Sequence, residues 1–301
     1  MPTLSLYFSE SAIYTMLQKD DGKKLFDVFH YQFSPYLYPK QEKFNKEVID
    51  ILAERHKLPK TDLKISSTHL LDVKFPENEF FYPIMINNLS VSAPSGFHSV
   101  FPAGKQLDNM DYLSNLAIFN YISPKDTSGY RVQYELLLYL AQLVPVDHKD
   151  LLFMGDFFIN LNNNPKKYLL MLDFVRKEGI YNLYFDQNSE YILDKTENFV
   201  PKNLGALVVS SGPTVCYIET QVGTKQLFEV EEDDLVFIPL DASTKSRIVV
   251  KSANLGTVEE KVGGGVLGVM VDTRKKGEIS QAFSKSYAKY ISSIQEVLAK
   301  I

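Results

Sequence analysis

Residues 263–268 carry the glycine spacing G-x-G-x-x-G, a short motif associated with a defined chemistry. In dinucleotide-binding folds the motif lies between a strand and a helix, and the amides at the start of the helix bind the pyrophosphate. The residues that follow here, 266–272, are rich in valine and predict a strand. We therefore interpret the glycines as a tight turn that allows close backbone approach, and not as a dinucleotide site.

Nucleophilic catalysis has little support in the positions of the serines, the cysteine and the histidines. Ser210 lacks the flanking glycines of a G-x-S-x-G elbow, and no histidine follows His148, which excludes the order Ser-Asp-His after that serine. Cys216 stands within an apolar run, which is typical of a small core residue. The histidines lie far apart, without the spacing of a zinc site.

Two charged clusters each allow two interpretations. Acidic residues crowd the segment 229–234, which forms either a solvated turn, the interpretation we favour, or a site for a hard cation. Asp272 and Arg274 stand at the end of a predicted strand. They form either an ion pair that closes the β-rich region, which we favour, or a contact to a ligand.

Composition excludes several classes of protein. The chain has 301 residues, 45% of them hydrophobic, and a formal charge of −5, which argues against a broad basic face for nucleic acid. A single cysteine excludes an internal disulfide. Neither a signal peptide nor an apolar run of membrane-spanning length is visible in the sequence. These features predict a soluble cytoplasmic protein with no transmembrane segment and no nucleic-acid partner.

Apolar periodicity predicts a strand-rich start and a mixed middle. Residues 3–33 predict three hairpin-linked strands, followed by a helix around 44–56 and a returning strand at 62–71. Helix, strand, helix and strand then alternate over 130–186, which is the strongest α/β signal in the chain.

The last third of the chain predicts short strands and a terminal helix. Apolar residues recur there at intervals of four and three: Phe283, Tyr287, Tyr290, Ile294, Val297 and Ile301. We favour docking of this stripe on the protein's own body over an intermolecular coiled coil. The predicted segments are 1–125, an actin-like half-domain; 126–206, a second α/β segment; 207–276, a β-rich domain; and 277–301, an amphipathic helix.

The segment from about 150 to 276 resembles the glutamate mutase accessory protein family (MutL-type) of the actin–hexokinase–Hsp70 superfamily. Its order of strand, helix, glycine and strand over 151–186 is similar to that family, as are Leu204-Gly205-Ala206-Leu207 and the strand ending in Pro239-Leu240. The most specific part is 264–274, which looks like the signature Gly-Gly-x-Leu-Gly-x-x-Ile-Asp-x-Arg. The resemblance implies an α/β fold of actin-like (ribonuclease H-like) half-domains, with a C-terminal β-rich domain and a terminal amphipathic helix.

The resemblance also implies an ATP cleft, and the sequence departs from the family there. Tyr7 stands where the first phosphate hairpin would carry its aspartate, and Asp156-Phe157 stands where a glycine pair would receive the nucleoside. Glu10 would repel phosphate. The residues of the degenerate cleft are Ser9, Ser11, Gly155 and Asp156.

These departures predict a non-catalytic actin-like scaffold or adaptor that binds a protein partner and needs no cofactor. The partner would contact the aromatic segments 26–38 or 78–82, or the terminal helix at 279–301. The alternatives are an ATP-dependent reactivase or chaperone-like ATPase, which would bind Mg-ATP, and an assembly adaptor of the PilM or FtsA kind.

Overall fold

The structure is a computed structural model that describes most of the chain outside one long segment in the first half. The described residues are 2–10, 12–30, 41–55, 57, 64–69, 72–75, 80–87, 90–99, 134, 137–158, 164–194, 199–221, 223–242, 245–275 and 287–299. Within them the strands in chain order are β1 (Thr3–Phe8), β2 (Ala12–Gln18), β3 (Lys24–His30), β4 (Lys64–His69), β5 (Tyr82–Ile86), β6 (Ser90–Ala93), β7 (Gly96–Ser99), β8 (Asp150–Met154), β9 (Gly179–Asp186), β10 (Lys202–Val209), β11 (Thr214–Glu219), β12 (Lys225–Val230), β13 (Leu235–Ile238), β14 (Lys245–Ser252), β15 (Gly256–Gly263) and β16 (Val269–Asp272). The helices are α1 (Gln41–Arg55), α2 (Pro165–Phe174), α3 (Glu190–Leu193) and α4 (Tyr287–Leu298).

The predicted α/β architecture of actin-like half-domains is wrong. Strands make up 45% of the structure and helices 22%, and the strands form three mixed or antiparallel sheets. The alternation of helix and strand over 130–186 favoured α/β, yet of the sixteen described strands this segment supplies only two, β8 and β9, with α2 between them. Most other strands pair with a neighbour through a hairpin, where backbone hydrogen bonds need no crossover helix.

Sheet 1 has the strand order β3-β2-β1-β4 and is covered by α1 on one face. The first three strands are antiparallel, and β4 returns parallel to β1. Along β1, Leu4, Leu6 and Phe8 point towards Leu52 of α1, while Tyr7 points to the opposite face. This two-residue alternation gives sheet 1 one face for a helix and another for a second sheet.

Sheet 2 has eight strands in the order β13-β16-β10-β9-β8-β5-β6-β7. The strands β5, β8 and β9 are parallel, and antiparallel strands extend the sheet on both sides. The predicted domain boundaries stay a prediction, although this sheet draws strands from both sides of residues 125 and 206.

Sheet 2 is buried on both faces, which explains the continuous apolar run of β8. Leu151 and Phe153 pack with α2 and α4 on one face. Leu152 and Met154 pack on the other face against sheet 1.

Sheet 3 is antiparallel, in the order β12-β11-β14-β15, and covers the other end of the same face. Its residues Cys216 and Ile248 pack against Val208 and Val271 of sheet 2. Cys216 is completely buried, which confirms the prediction that it is a core residue.

The described part of the terminal apolar stripe, from Tyr287 to Val297, docks on the protein's own body, as favoured from the sequence. In α4, Tyr290 and Ile294 are buried in the core that includes α2 and β13. The helix is described from residue 287, so the start of the predicted segment 279–301 lies outside the described residues.

Candidate functional site

A buried polar cluster lies where sheet 1 meets sheet 2, and we call it the inter-sheet cluster. Its members are Ser9, Glu10, Tyr14, Ser90 and Asp156, each at most 6% exposed. Ser9 and Glu10 follow β1 in the turn to β2, and Asp156 follows β8, so the ends of two buried strands position these side chains. Ser90 begins β6. The cluster contains Ser9 and Asp156, two of the four residues predicted from the sequence to form a degenerate nucleotide cleft.

Asp156 is held by hydroxyl groups from sheet 1. The Ser9 hydroxyl donates to Oδ1 of Asp156 at 2.5 Å, and the Tyr14 hydroxyl donates to the same oxygen at 3.0 Å. The backbone N–H of Asp156 donates to Oδ1 of Asn87 at 3.2 Å. These bonds join the end of β8 to sheet 1 and to the turn after β5.

Tyr14 stays a hydrogen-bond donor over the whole neutral range. Burial, and then the negative charge of Asp156, raise the pKa of the Tyr14 hydroxyl well above its usual value. Its ring stacks on that of Tyr7 with centroids 5.6 Å apart, and the Tyr7 hydroxyl donates to Sδ of Met85 at 2.8 Å. The tyrosine pair therefore fills the space between the sheets with apolar surface and carries its hydroxyls into sheet 2.

Glu10 is the second carboxylate of the cluster. It is 6% exposed and accepts a hydrogen bond from the hydroxyl of Ser90. The cluster thus brings two acidic side chains into one buried region, where a carboxylate is stable when it is hydrogen-bonded.

Gly155 is a packing glycine. Its φ is +108°, and a Cβ placed there would lie 2.4 Å from the carbonyl oxygen of Ile86. No side chain fits at that distance, so the glycine permits close approach of the chain after β8 to the end of β5.

Lys167 brings a positive charge to the same region. It stands in the first turn of α2, half buried, with Nζ 5.6 Å from the ring centroid of Phe157. Burial lowers the pKa of Lys167 to about 8, although the nearby charge of Asp156 opposes this shift. The ammonium group therefore remains largely charged at pH 7.

A second buried charged group closes the far end of sheet 2. Arg274 donates from Nε to Oδ1 of Asp272 at 2.8 Å, and its Nη2 lies 2.6 Å from Oδ1 of Asp173 on α2. The Arg274 guanidinium is also 5.1 Å from the ring centroid of Tyr290 on α4. This geometry confirms the favoured interpretation of Asp272 and Arg274 as an ion pair.

Three glycines of the motif, Gly264, Gly265 and Gly268, form a close backbone crossing with Gly205, and we call these four residues the glycine crossing. A Cβ on Gly268 would lie 2.2 Å from the carbonyl oxygen of Ile238, and one on Gly205 would lie 2.2 Å from that of Gly268. The element that follows the glycines is the strand β16, as the sequence predicts. A dinucleotide site would need a helix there, whose N-terminal amides bind the pyrophosphate.

Of the predicted site residues, the structure brings together Ser9, Gly155 and Asp156, while Ser11 lies outside the described residues. Sequence reasoning missed Tyr14, Ser90 and Lys167. The hairpin register pairs Tyr7 with Tyr14, so Tyr14 could have been found from the turn. Ser90 and Lys167 come from distant segments, and no local pattern points to them.

No protein-family model matches this chain, and no curated protein matches it. The resemblance to the glutamate mutase accessory family therefore stays a prediction. In the described part of the chain, no group of three or more His, Cys, Asp or Glu residues is arranged to hold a metal ion. Across the same residues, no helix is long and apolar enough to cross a membrane.

Proposed function

We propose that this chain is a non-catalytic scaffold or adaptor that binds a protein partner. The observation that carries the proposal is the state of the inter-sheet cluster: Asp156 accepts hydrogen bonds from Ser9 and Tyr14, and Glu10 accepts one from Ser90. These groups satisfy one another and join two sheets, which is a structural role.

A nucleotide would meet an unfavourable environment at this place. Its phosphates would approach two carboxylates, Asp156 and Glu10, and would have to displace the hydroxyls that already bind them. The aromatic residues Phe157 and Phe158, both almost completely buried, occupy the adjacent volume.

Titration calorimetry with Mg-ATP tests this part of the proposal. We expect no saturable heat up to about 1 mM nucleotide, and no change in the melting temperature. Saturable binding with a Kd below about 100 µM, which corresponds to about 5 kcal/mol, would overturn it. The variant Asp156→Asn serves as a probe, because removing the charge from a true phosphate site would strengthen any such binding.

An exposed apolar pair supplies the proposed contact with the partner. Phe80 is 77% exposed and Val200 is 87% exposed. Each is the chain neighbour of an aromatic residue, and the rings of these neighbours, Phe81 and Phe199, pack edge to face with centroids 6.4 Å apart. Large exposed apolar side chains beside a packed aromatic base are typical anchors of protein interfaces.

Affinity capture with the double variant Phe80→Ser/Val200→Ser tests this contact. We expect a protein captured by the wild-type chain to be lost from the double variant and retained by Leu143→Ser, which removes an exposed leucine elsewhere. Equal capture by all three forms would contradict the assignment of this surface.

An ATP-dependent reactivase or chaperone-like ATPase is the second candidate function, and Lys167 is the observation that favours it. A largely charged lysine in the first turn of α2 is a group that a phosphate would seek. If calorimetry does detect Mg-ATP, Lys167→Met should abolish the binding, whereas Lys166→Met, one position earlier, should leave it unchanged.

A further inference from the structure

Strand β12 lies at one end of sheet 3, and within the described residues only β11 pairs with it. Val230 and Phe228 point towards the core shared with sheet 2, whereas Lys225, Leu227 and Glu229 are exposed on the outer face. The Leu227 side chain is 61% exposed. An edge strand with an exposed apolar residue is a template for pairing with another strand.

The outward residues of β12 are complementary to themselves. We propose that two copies of this chain pair through β12, antiparallel, about a two-fold axis at Leu227. In this register Leu227 faces the same residue of the second copy, and Lys225 faces the second copy's Glu229 on each side of the axis. Cross-strand pairs of opposite charge and of apolar side chains both stabilise antiparallel strands.

The register is specified by the sequence of β12. A shift by two residues is the smallest that keeps the outward residues on one face. Such a shift would place Leu227 opposite Lys225 or Glu229 and would remove both charge pairs. Edge lysines usually discourage pairing, but here Glu229, four residues from Lys225, complements the lysine of an antiparallel copy.

The charges already present on the outer face of sheet 3 continue into the proposed pair. Arg247 lies between Glu259, at 2.5 Å, and Glu219, at 3.2 Å, and Lys225 lies 3.5 Å from Glu219 on the side of the edge. These four side chains therefore form a row across sheet 3 in which negative and positive charges alternate, and the row ends with Lys225 on the edge strand. The second copy's Glu229 would extend this alternation across the axis.

The apolar contact at the axis is extended by Tyr217, the cross-strand neighbour of Leu227 in β11. A single pair of short strands still buries less than the roughly 1,600 Å² of a standard interface. The dimer should therefore be weak and reversible, and salt should weaken it further by screening the charge pairs. This inference does not depend on the proposed function.

Sedimentation of the full chain over about 10 µM to about 1 mM tests the proposal through a charge swap. We expect the wild type to dimerise with rising concentration. Lys225→Glu and Glu229→Lys should each weaken dimerisation about tenfold or more, because each puts like charges opposite one another twice. The double variant Lys225→Glu/Glu229→Lys should recover it, since the pairs re-form with reversed sign.

Lys251→Glu is the matched control, because Lys251 is exposed on the same face but in the central strand β14. It makes the same change of charge and should leave dimerisation unchanged. A wild type that stays monomeric at about 1 mM, or a double variant no better than both single variants, would overturn the proposal.

A cross-link gives a second, independent readout at the axis. In Leu227→Cys the two thiols should oxidise with diamide to a disulfide-linked dimer, while Lys251→Cys should stay monomeric under the same conditions. The native Cys216 does not interfere, because it is buried and burial raises the pKa of its thiol to about 11. Equal yields of cross-linked dimer from both variants would overturn the two-fold at Leu227.

Discussion

The Asp156 carboxylate illustrates how a buried acid can serve structure alone. Its Oδ1 accepts hydrogen bonds from the hydroxyls of Ser9 and Tyr14, which lie 147 and 142 positions away in the sequence and belong to the hairpin of sheet 1. A carboxylate left without such donors would bear the full cost of its burial. At the scale of single residues, the junction of the two sheets therefore depends on hydroxyl groups.

Removing the Tyr14 hydroxyl should destabilise the fold. Tyr14→Phe keeps the stacked ring but takes one donor from Asp156, and we expect the free energy of unfolding to fall by about 1–3 kcal/mol. Urea unfolding followed by circular dichroism measures this change. Tyr139→Phe, at a tyrosine that is 56% exposed, is the control and should change stability little. Equal effects of the two substitutions would contradict a structural role for the Tyr14 hydroxyl.

Asp186 makes stability depend on pH. Burial raises the pKa of this carboxyl to about 6, although backbone N–H groups of Tyr191, Glu190 and Asn188 donate to it and oppose the shift. The folded state therefore binds the proton more tightly than the unfolded state. The stabilisation is complete at low pH and is lost as pH rises through about 6.

The expected loss from this group is at most about 3 kcal/mol between pH 4 and pH 7. The difference in unfolding free energy between wild type and Asp186→Asn, measured over that range, isolates the contribution. We expect the wild type to lose stability relative to the variant as pH rises. A difference that does not change with pH would show that the Asp186 carboxyl has a normal pKa.

At the scale of elements, one buried arginine, Arg274, joins β16, α2 and α4. Arg274 contacts Asp272 at the end of β16, Asp173 on α2 and the ring of Tyr290 on α4. Burial would lower the pKa of Arg274, but the two carboxylates outweigh it and raise the pKa well above its usual value. The guanidinium is therefore permanently charged, and its carboxylate partners depend on it.

Arg274→Met should leave two buried carboxylates without their cation and lower the free energy of unfolding by about 3–5 kcal/mol. Arg247→Met is a close control, since Arg247 also lies between two carboxylates but on the exposed face of sheet 3. We expect a much smaller loss there, because exposed ion pairs contribute little. Limited proteolysis should also cut α4 more readily in Arg274→Met. Similar losses of unfolding free energy in the two variants would contradict the prediction that the buried ion pair contributes more to stability than the exposed one.

Several elements could be predicted from the sequence, because their signals are local. Alternation and turn residues predict β1 and β2, and proline at the first position predicts the start of α2. Val269 begins β16 three residues later than predicted, because Gly265 and Gly268 hold the preceding residues in a turn. Periodicity describes side-chain faces but does not reveal such a backbone crossing.

At the scale of the whole molecule, sheet 2 joins the other layers, and this arrangement could not be predicted from the sequence. Sheet 1 and sheet 3 cover different ends of one face of sheet 2, while α2 and α4 cover the opposite face. Pairings such as β10 with β16 join segments some 60 residues apart. The contacts of Tyr14 with Asp156 and of Asp173 with Arg274 were missed for the same reason, because they exist only once the sheets are assembled.

Because sheet 2 is shared, the layers should unfold together. The chain has one cysteine, Cys216, which is buried between sheets 2 and 3 and reports on their separation. We expect its labelling by a thiol reagent in urea to have the same midpoint as the loss of far-ultraviolet circular dichroism. Tyrosine fluorescence, to which the buried Tyr7 and Tyr14 contribute, should follow the same curve. Labelling of Cys216 at clearly lower urea would mean that sheet 3 opens alone.

The glycine crossing has a consequence for how this protein can vary through mutation. A methyl group at Gly205 or Gly268 would collide with a backbone carbonyl, which cannot move aside without separating β10, β16 and β13. In a saturation mutagenesis library selected for folded protein, we expect neither position to tolerate any replacement. The two glycines should be as intolerant of substitution as the catalytic residues of an enzyme are. Intolerance to substitution in this stretch would then reflect the space between backbones and would give no reason to look for a bound dinucleotide.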